Sequence, residues 1–270
     1  MTEKDWNLQT LRTAIKPLLE SDWKQFFQEE KTLDTIHFEL LKLSLPHIIT
    51  SDRQIPVEFW EQLSDHEKNV VMALASYTLA PTAKIYPVVS RVFFAFSLTS
   101  LQNLKCVIIG QDPYPSAGVA NGLAFSAQRG AAKPASLKNV FLKLNQEGFV
   151  AENPCLESWA RQGVLLINTA LTVFEGKPES HLELWKPFTI NLIKFLGKKE
   201  GIVWILWGKK AQAFLPFISQ EKSLVLIGAH PSPVNVRGGF LDHDYFRPCN
   251  VFLEKIGKNP IDWNLRKGVF

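Results

Sequence analysis

A carboxylate, an amide and an imidazole each come at or just after the end of a short apolar run: Asp112, Asn168 and His230. A carboxylate and a histidine can stabilise charge or move a proton, and an amide offers both a hydrogen-bond donor and an acceptor. The apolar runs themselves are typical of buried strands in a parallel sheet. Because ligands of open α/β sheets bind at the carboxyl edge of the strands, the three side chains predict a site at that edge.

Each of these side chains also has an ordinary structural explanation. Asp112 and Asn168 are common turn residues, whose side chains hydrogen-bond to nearby backbone groups. A single histidine such as His230 is more often structural or solvated than catalytic. The convergence of all three on one predicted edge favours a functional site more than any one of them does.

The chain after residue 100 alternates apolar runs with stretches of helical periodicity. This alternation predicts parallel strands with helices packed on both faces of the sheet. We expect the strands at Cys106–Ile109, Val164–Ile167, Ile202–Leu206 and Leu224–Ile227.

The first 100 residues have a helical pattern instead. Apolar residues spaced by three or four predict a helix over Leu8–Leu19, and amphipathic patterns predict helices over His37–Leu45 and Pro56–Leu79. No internal repeat or linker divides the chain. We therefore expect one α/β domain over residues 1–270, with a mostly helical lead-in at 1–100 and an α/β core at 101–265.

Composition narrows the class of protein. The 46% hydrophobic and 21% charged residues are ordinary for a globular protein, and the net charge of +4 permits an anionic partner without requiring one. Three widely spaced cysteines favour a reducing compartment over a disulfide framework. The N-terminus lacks a signal-peptide pattern, and no apolar run approaches the roughly 18 residues of a membrane span. We expect a cytoplasmic monomer with no membrane association.

Several familiar sites lack their sequence patterns. The chain has no Gly-rich dinucleotide or P-loop fingerprint, no HExxH or Cys/His zinc cluster, and no GxSxG nucleophile elbow. We expect neither a cofactor nor a metal, which leaves a mechanism built on one carboxylate and one histidine.

Five motifs together resemble those of family 1 uracil-DNA glycosylases, in the same order and at the strand ends: GQDPY at 110–114, GLAFS at 122–126, GVLLIN at 163–168, LWG at 206–208 and HPSP at 230–233. The resemblance spans most of residues 85–263. It implies a single domain with a central four-stranded, mainly parallel sheet flanked by helices. It also implies that uracil is flipped out of DNA and its N-glycosidic bond hydrolysed, leaving an abasic site.

The resemblance assigns roles to the residues at the strand ends. Asp112 would stabilise the sugar cation and orient the attacking water, and His230 would hydrogen-bond uracil O2, with backbone N–H groups near Gln111 assisting. For base recognition, Asn168 would read the O4 and N3–H edge. Phe125 would stack on the uracil face and Tyr114 would exclude the thymine methyl.

The DNA contacts implied by the resemblance include departures from the family pattern. Ser136 and Ser232 match serines that contact phosphates, and Val234 occupies the position of the hydrophobic wedge, where Leu is usual. Asn235 replaces the following Ser, and the arginine is displaced to Arg237. The implied partners are single- or double-stranded DNA containing uracil and a uracil-DNA glycosylase inhibitor protein. The alternative is a DNA-binding or replication-associated subunit on the same fold, with reduced or lost catalysis.

Overall fold

The computed structural model describes residues 8–28, 84–233 and 239–267. The predicted helix at the N-terminus is confirmed over Leu8–Leu19. The predicted helices over 37–45 and 56–79 lie outside the described residues, as do Val234, Asn235 and Arg237. No helix in the part of the chain that is described is long and apolar enough to cross a membrane.

The described chain runs through eight α-helices and six strands. The helices are α1 (Leu8–Leu19), α2 (Lys24–Gln28), α3 (Phe94–Leu98), α4 (Ala135–Gln146), α5 (Glu157–Ala160), α6 (Leu182–Gly197), α7 (Lys209–Gln212) and α8 (Phe246–Lys255). The strands are β1 (Ile85–Tyr86), β2 (Cys106–Gly110), β3 (Val164–Asn168), β4 (Val173–Phe174), β5 (Val203–Trp207) and β6 (Leu224–Gly228).

The centre of the fold is a four-stranded parallel sheet in the order β3-β2-β5-β6. All four predicted strands are confirmed, with ends that differ from the expected ones by a single residue. The register pairs Gly110 with Asn168 and Trp207 with Gly228, so the strands end together at one edge. Asp112 and His230 follow two of these ends, and Asn168 is the last residue of a third.

Burial differs between the inner and outer strands of this sheet. Every residue of β2, β3 and β5 is buried, as expected for continuous apolar runs covered on both faces. β6 has a similar composition but lies at the edge, and four of its five residues are half-buried or exposed. Ile227 is 46% exposed. An apolar run indicates a strand here, but it does not reveal whether both faces are covered.

The N-terminal helices share an aromatic core with the rest of the described chain. The ring of Phe26 lies 5.6 Å from that of Phe188 on α6, and the ring of Phe27 lies 5.2 Å from that of Phe96 on α3. The indole of Trp23 donates a hydrogen bond of 2.7 Å to the carbonyl of Thr99. Helices α1 and α2 are therefore packed into the same hydrophobic core as the sheet.

A second, two-stranded sheet pairs β1 with β4 in antiparallel register. Each strand has only two residues, too few for a period-2 pattern to predict them. The pair supports the loop from Glu175 to Ser180, since Glu175 N–H donates to the Lys84 carbonyl at 2.7 Å and Gly176 N–H to the Pro115 carbonyl at 2.8 Å. This loop is thereby held beside the segment that follows β2.

Candidate active site

A cleft of ≈ 820 Å³ opens at the carboxyl edge of the parallel sheet. Its size is within the usual range for a small-molecule or base pocket, about 300–1,000 Å³. Side chains from the segments after β2, β4, β5 and β6 line it, among them Gln111, Glu179, Lys210, His230 and Ser232.

Asp112 lies on the segment that leaves β2, and both of its carboxylate oxygens accept hydrogen bonds. Gln111 Nε2 donates to Oδ1 at 3.2 Å, and the backbone N–H of Glu179 donates to Oδ2 at 2.6 Å. Burial raises the pKa of Asp112, while these two hydrogen bonds and the charge of Lys210 oppose the rise. The carboxylate is thus partly removed from water and aimed by donors on two sides.

His230 begins the segment after β6, and its ring has a defined tautomer. The backbone N–H of Ser232 donates to Nδ1 at 3.1 Å, so in the neutral ring the proton is on Nε2. Burial lowers the pKa of His230, and the positive charge of Lys210 lowers it further. His230 is therefore set up as a neutral hydrogen-bond donor through Nε2 rather than as an imidazolium ion.

Gly208 allows the ring of His230 to lie against β5. A Cβ at position 208 would be 2.8 Å from the His230 Cβ, and the backbone φ of +85° is in the left-handed region. Only glycine satisfies both conditions without strain. The LWG motif therefore has a structural explanation in the placement of the histidine.

The Asn168 side chain lies against Gly110, the last residue of β2. A Cβ built at Gly110 would be only 2.2 Å from Asn168 Oδ1, so the amide occupies the space that a side chain there would need. Asn168 is 7% exposed. Within residues 8–28, 84–233 and 239–267, no hydrogen bond involves its side-chain amide. A nearly buried amide without a hydrogen bond to the described residues has a donor and an acceptor available for a ligand.

Phe125 and Tyr114 are held together beside these groups. Phe125 has a φ of 61°, which is unusual for a residue other than glycine, and its ring packs edge-on against Trp207 at 5.3 Å. Its ring also lies 5.8 Å from that of His230. The Tyr114 hydroxyl donates to the Phe125 carbonyl at 3.0 Å, and burial raises the pKa of this phenol. Both rings are therefore restrained before any ligand binds.

The predicted DNA-contacting residues are only partly described. Ser232 lines the cleft, and Ser136 is in the first turn of α4. One turn further along that helix, Asn139 Nδ2 donates to the Pro231 carbonyl at 2.8 Å and joins α4 to the HPSP segment. The positions of Val234, Asn235 and Arg237 are outside the described residues.

Two charged residues of the cleft were not singled out from the sequence. Lys210 Nζ lies 2.7 Å from Glu179 Oε1, and Gln111 Nε2 donates to the same oxygen at 3.0 Å. Lys210 comes just after the end of β5, and Glu179 comes just before the Ser180-His181 pair. Their nearness to predicted site segments could have indicated each of them separately. Nothing in the spacing of two distant residues indicated that they pair.

The described residues contain no group of three or more His, Cys, Asp or Glu side chains placed to hold a metal ion. The polar groups that do converge are one carboxylate, one neutral imidazole N–H and one amide. Together they can stabilise a positive charge on one side of a bond, donate to an oxygen on the other, and recognise an edge with paired donor and acceptor groups.

Comparison with known proteins agrees with this arrangement. A mimivirus uracil-DNA glycosylase has a TM-score of 0.69 and 25% identity, covering 83% of this chain and 91% of its own. A point variant of the mimivirus UNG in complex with UGI has a TM-score of 0.68 and 26% identity, covering 76% of this chain and 85% of its own. The family model described as the uracil DNA glycosylase superfamily matches residues 96–254, which is more than half of the chain. The protein therefore belongs to the uracil DNA glycosylase superfamily and is a uracil-DNA glycosylase of base excision repair.

Proposed function

We propose that the enzyme flips a deoxyuridine out of DNA into this cleft, where Asp112 and His230 carry the hydrolysis of the N-glycosidic bond. The observation that most supports this is that a partly buried carboxylate follows β2 and a neutral imidazole follows β6, at the same edge of the sheet as the cleft. Flipping is required because the bond is inaccessible within a stacked duplex. Free uracil and an abasic site are the products.

The two groups suit the two charges that the reaction creates. As the bond breaks, positive charge develops on the deoxyribose and negative charge on the departing uracil. Asp112 would stabilise the sugar cation and orient the attacking water, which requires the ionised carboxylate. His230 would donate from Nε2 to uracil O2, and because its proton need not be fully transferred, a neutral ring is sufficient. The Ser232 N–H holds the tautomer that this role requires.

Base recognition would come from Asn168, Phe125 and Gln111. The Asn168 amide can donate to uracil O4 and accept from N3–H, whereas cytosine presents the reverse pattern and would leave buried groups unpaired. Each unpaired group costs about 1–3 kcal/mol. The Phe125 ring would stack on the base, a contact worth about 1–3 kcal/mol. Backbone N–H groups near Gln111 would assist at the same edge.

Tyr114 would exclude thymine through the position of its ring. We expect Tyr114→Ala to release thymine from DNA roughly 10–200-fold faster than the wild type, because a pocket that gains space no longer rejects the C5 methyl group. The measurement is the rate of thymine release from an oligonucleotide with one A·T pair or one unpaired T. Tyr114→Phe is the matched control, since it removes the hydrogen bond to Phe125 but keeps the ring. Equal thymine release by both variants would show that bulk at this position is not what selects the base.

DNA contact, partners and location are also proposals. Ser136 and Ser232 would contact phosphates, which fixes the position of the DNA without reading its sequence. Val234, Asn235 and Arg237 would complete that contact. An inhibitor such as UGI, which is bound in one of the similar structures, would compete for the same face. The monomeric state and the cytoplasmic location remain predictions, which sedimentation and cell fractionation, respectively, can test. The single domain also remains a prediction.

The function is tested by incubating the purified protein, in EDTA, with single- and double-stranded oligonucleotides that carry one uracil. We expect free uracil and alkali-sensitive breaks at the uracil position. An oligonucleotide with thymine in the same place is the control. Binding of uracil-containing DNA without any uracil release at high enzyme concentration would instead favour the DNA-binding alternative.

A further inference from the structure

An ion pair joins two of the segments that line the cleft. Glu179 belongs to the loop after β4, and Lys210 to the short helix after β5, and β2 lies between β3 and β5 in the sheet. Lys210 Nζ lies 2.7 Å from Glu179 Oε1, and both residues line the cleft. Their side chains are 51% and 53% exposed, so the pair faces solvent and would contribute little to stability by itself.

Glu179 has a backbone conformation that its side chain disfavours. Its φ is 67°, in the left-handed region where a residue with a Cβ is strained. In that conformation its N–H donates to Asp112 Oδ2 at 2.6 Å. Strain of this kind persists only where surrounding contacts hold it, and it occurs often at functional sites.

The contacts that hold Glu179 come from its neighbours and from its own carboxylate. The adjacent Ser180 is fixed because its Oγ accepts from Phe174 N–H at 2.9 Å, and His181 is fixed by Thr172 at 2.9 Å. The Glu179 carboxylate is held by Lys210 and by Gln111 Nε2, at 3.0 Å from the latter. Lys210 is therefore the charged anchor of the strained residue.

We propose that Lys210 is a positioning residue: by pairing with Glu179, it holds the strained backbone that aims the Glu179 N–H at the Asp112 carboxylate. The inference rests on the proposed role of Asp112 in uracil excision. Lys210 acts through Glu179 and needs no contact with the substrate.

Electrostatics around Asp112 depend on the same pair. The charged groups that act on this carboxylate are Glu179, whose charge raises its pKa, and Lys210, whose charge lowers it. The Gln111 and Glu179 hydrogen bonds also lower the pKa. Loss of Lys210 leaves the Glu179 charge uncompensated beside Asp112 and releases the N–H donor. Both changes favour protonation of the carboxylate that must be ionised to act.

The test compares Lys210→Met in two backgrounds. In the wild type, we expect Lys210→Met to lower the single-turnover rate roughly 3–30-fold and to move the acid limb of the pH profile to higher pH, with DNA affinity unchanged. Glycine tolerates the left-handed conformation, so Glu179→Gly keeps the N–H in place without an anchor. In the Glu179→Gly background, Lys210→Met should lower the single-turnover rate clearly less than it does in the wild type. Glu179→Ala keeps the strain but removes the anchor, so it should also lower the single-turnover rate. Its acid limb should move less than that of Lys210→Met, because the Glu179 charge that raises the Asp112 pKa is removed as well.

Lys222→Met is the matched control, because Lys222 forms an exposed ion pair of 2.9 Å with Glu200 at the opposite, amino end of the strands. It should leave the rate and the pH profile unchanged. An equal effect of Lys210→Met in both backgrounds would overturn the proposal, since Lys210 would then act on Asp112 directly. Weaker DNA affinity with an unchanged single-turnover rate would also overturn it, by assigning Lys210 to phosphate contact.

A second readout separates this inference from the proposed function. Carboxyl ¹³C NMR of the DNA-free protein follows the titration of Asp112 without any turnover. We expect a higher pKa in Lys210→Met than in the wild type, and a smaller difference between the two in the Glu179→Gly background. An inactive wild type would contradict the role of Asp112, whereas an Asp112 titration insensitive to Lys210 would contradict the positioning role.

Discussion

Asp112→Asn is expected to lower the single-turnover rate of uracil release by about 10²–10⁴-fold, the usual range for loss of a positioned acid or base. Asparagine keeps the size of the side chain but has no charge to stabilise the sugar cation and no basic oxygen for water. It also places an NH₂ group opposite Gln111 Nε2 or the Glu179 N–H, both of which are donors. The rate should be measured with enzyme in excess over DNA, so that product release does not hide the chemical step.

The same substitution should change the pH dependence of stability. Burial raises the pKa of Asp112 in the folded protein, so the folded state holds the proton more tightly than the unfolded state does. Ionisation of Asp112 therefore costs stability, and the cost grows as the pH rises from the ordinary Asp pKa through the raised one. The uncharged amide of the variant carries no such cost. The unfolding free energy of the variant, relative to wild type, should rise over that pH interval and be constant above it.

Urea denaturation at several pH values measures this difference. Asp262→Asn is the control, because Asp262 is an exposed carboxylate near the C-terminus. It should retain full uracil release. A relative stability of Asp112→Asn that falls with rising pH would show that the carboxylate is stabilised, not penalised, by its surroundings.

The sequence predicted the central sheet well because its strands combine two independent signals. Continuous apolar runs such as Cys106–Ile109 indicate a strand covered on both faces, and the Gly or Pro that follows marks its end. β1 and β4 carry neither signal, since their pairing is set by contacts made across the chain. The exposure of Ile227 likewise depends on what packs against β6, which its own composition does not encode.

Some residues of the candidate site could likewise be predicted from the sequence, and others could not. Asp112, Asn168 and His230 could be proposed because the carboxyl edge of a parallel sheet brings strand ends together, whatever the details of packing. Glu179 and Lys210 could not, because their pairing depends on the path of the loop after β4 and on a φ of 67° that is unusual for glutamate. The φ of Glu179 overrides the local preference of glutamate, and that is set by distant contacts rather than by residue spacing.

Gly110→Ala is the second substitution with a large expected effect, because this glycine leaves space for the Asn168 amide, which we propose reads uracil. The added methyl group would be 2.2 Å from Asn168 Oδ1 and 2.9 Å from the Ala124 Cβ, so something must move. The backbone of β2 is held on both sides by strands, which leaves the Asn168 side chain as the group that yields. We expect a loss of roughly 1–3 kcal/mol in the unfolding free energy, as for other overpacked cores.

Uracil release should also fall by roughly 10–200-fold, because a displaced amide no longer matches O4 and N3–H of the base. Asn168→Ala separates the two effects. It removes the colliding oxygen, so Gly110→Ala should cost less stability in that background than alone, while uracil release stays low in all three variants. Such a difference between backgrounds is the signature of two residues in contact. If Gly110→Ala kept both wild-type stability and wild-type selection of uracil over cytosine, Asn168 would not be held against β2, and its role in reading the base would have to be abandoned.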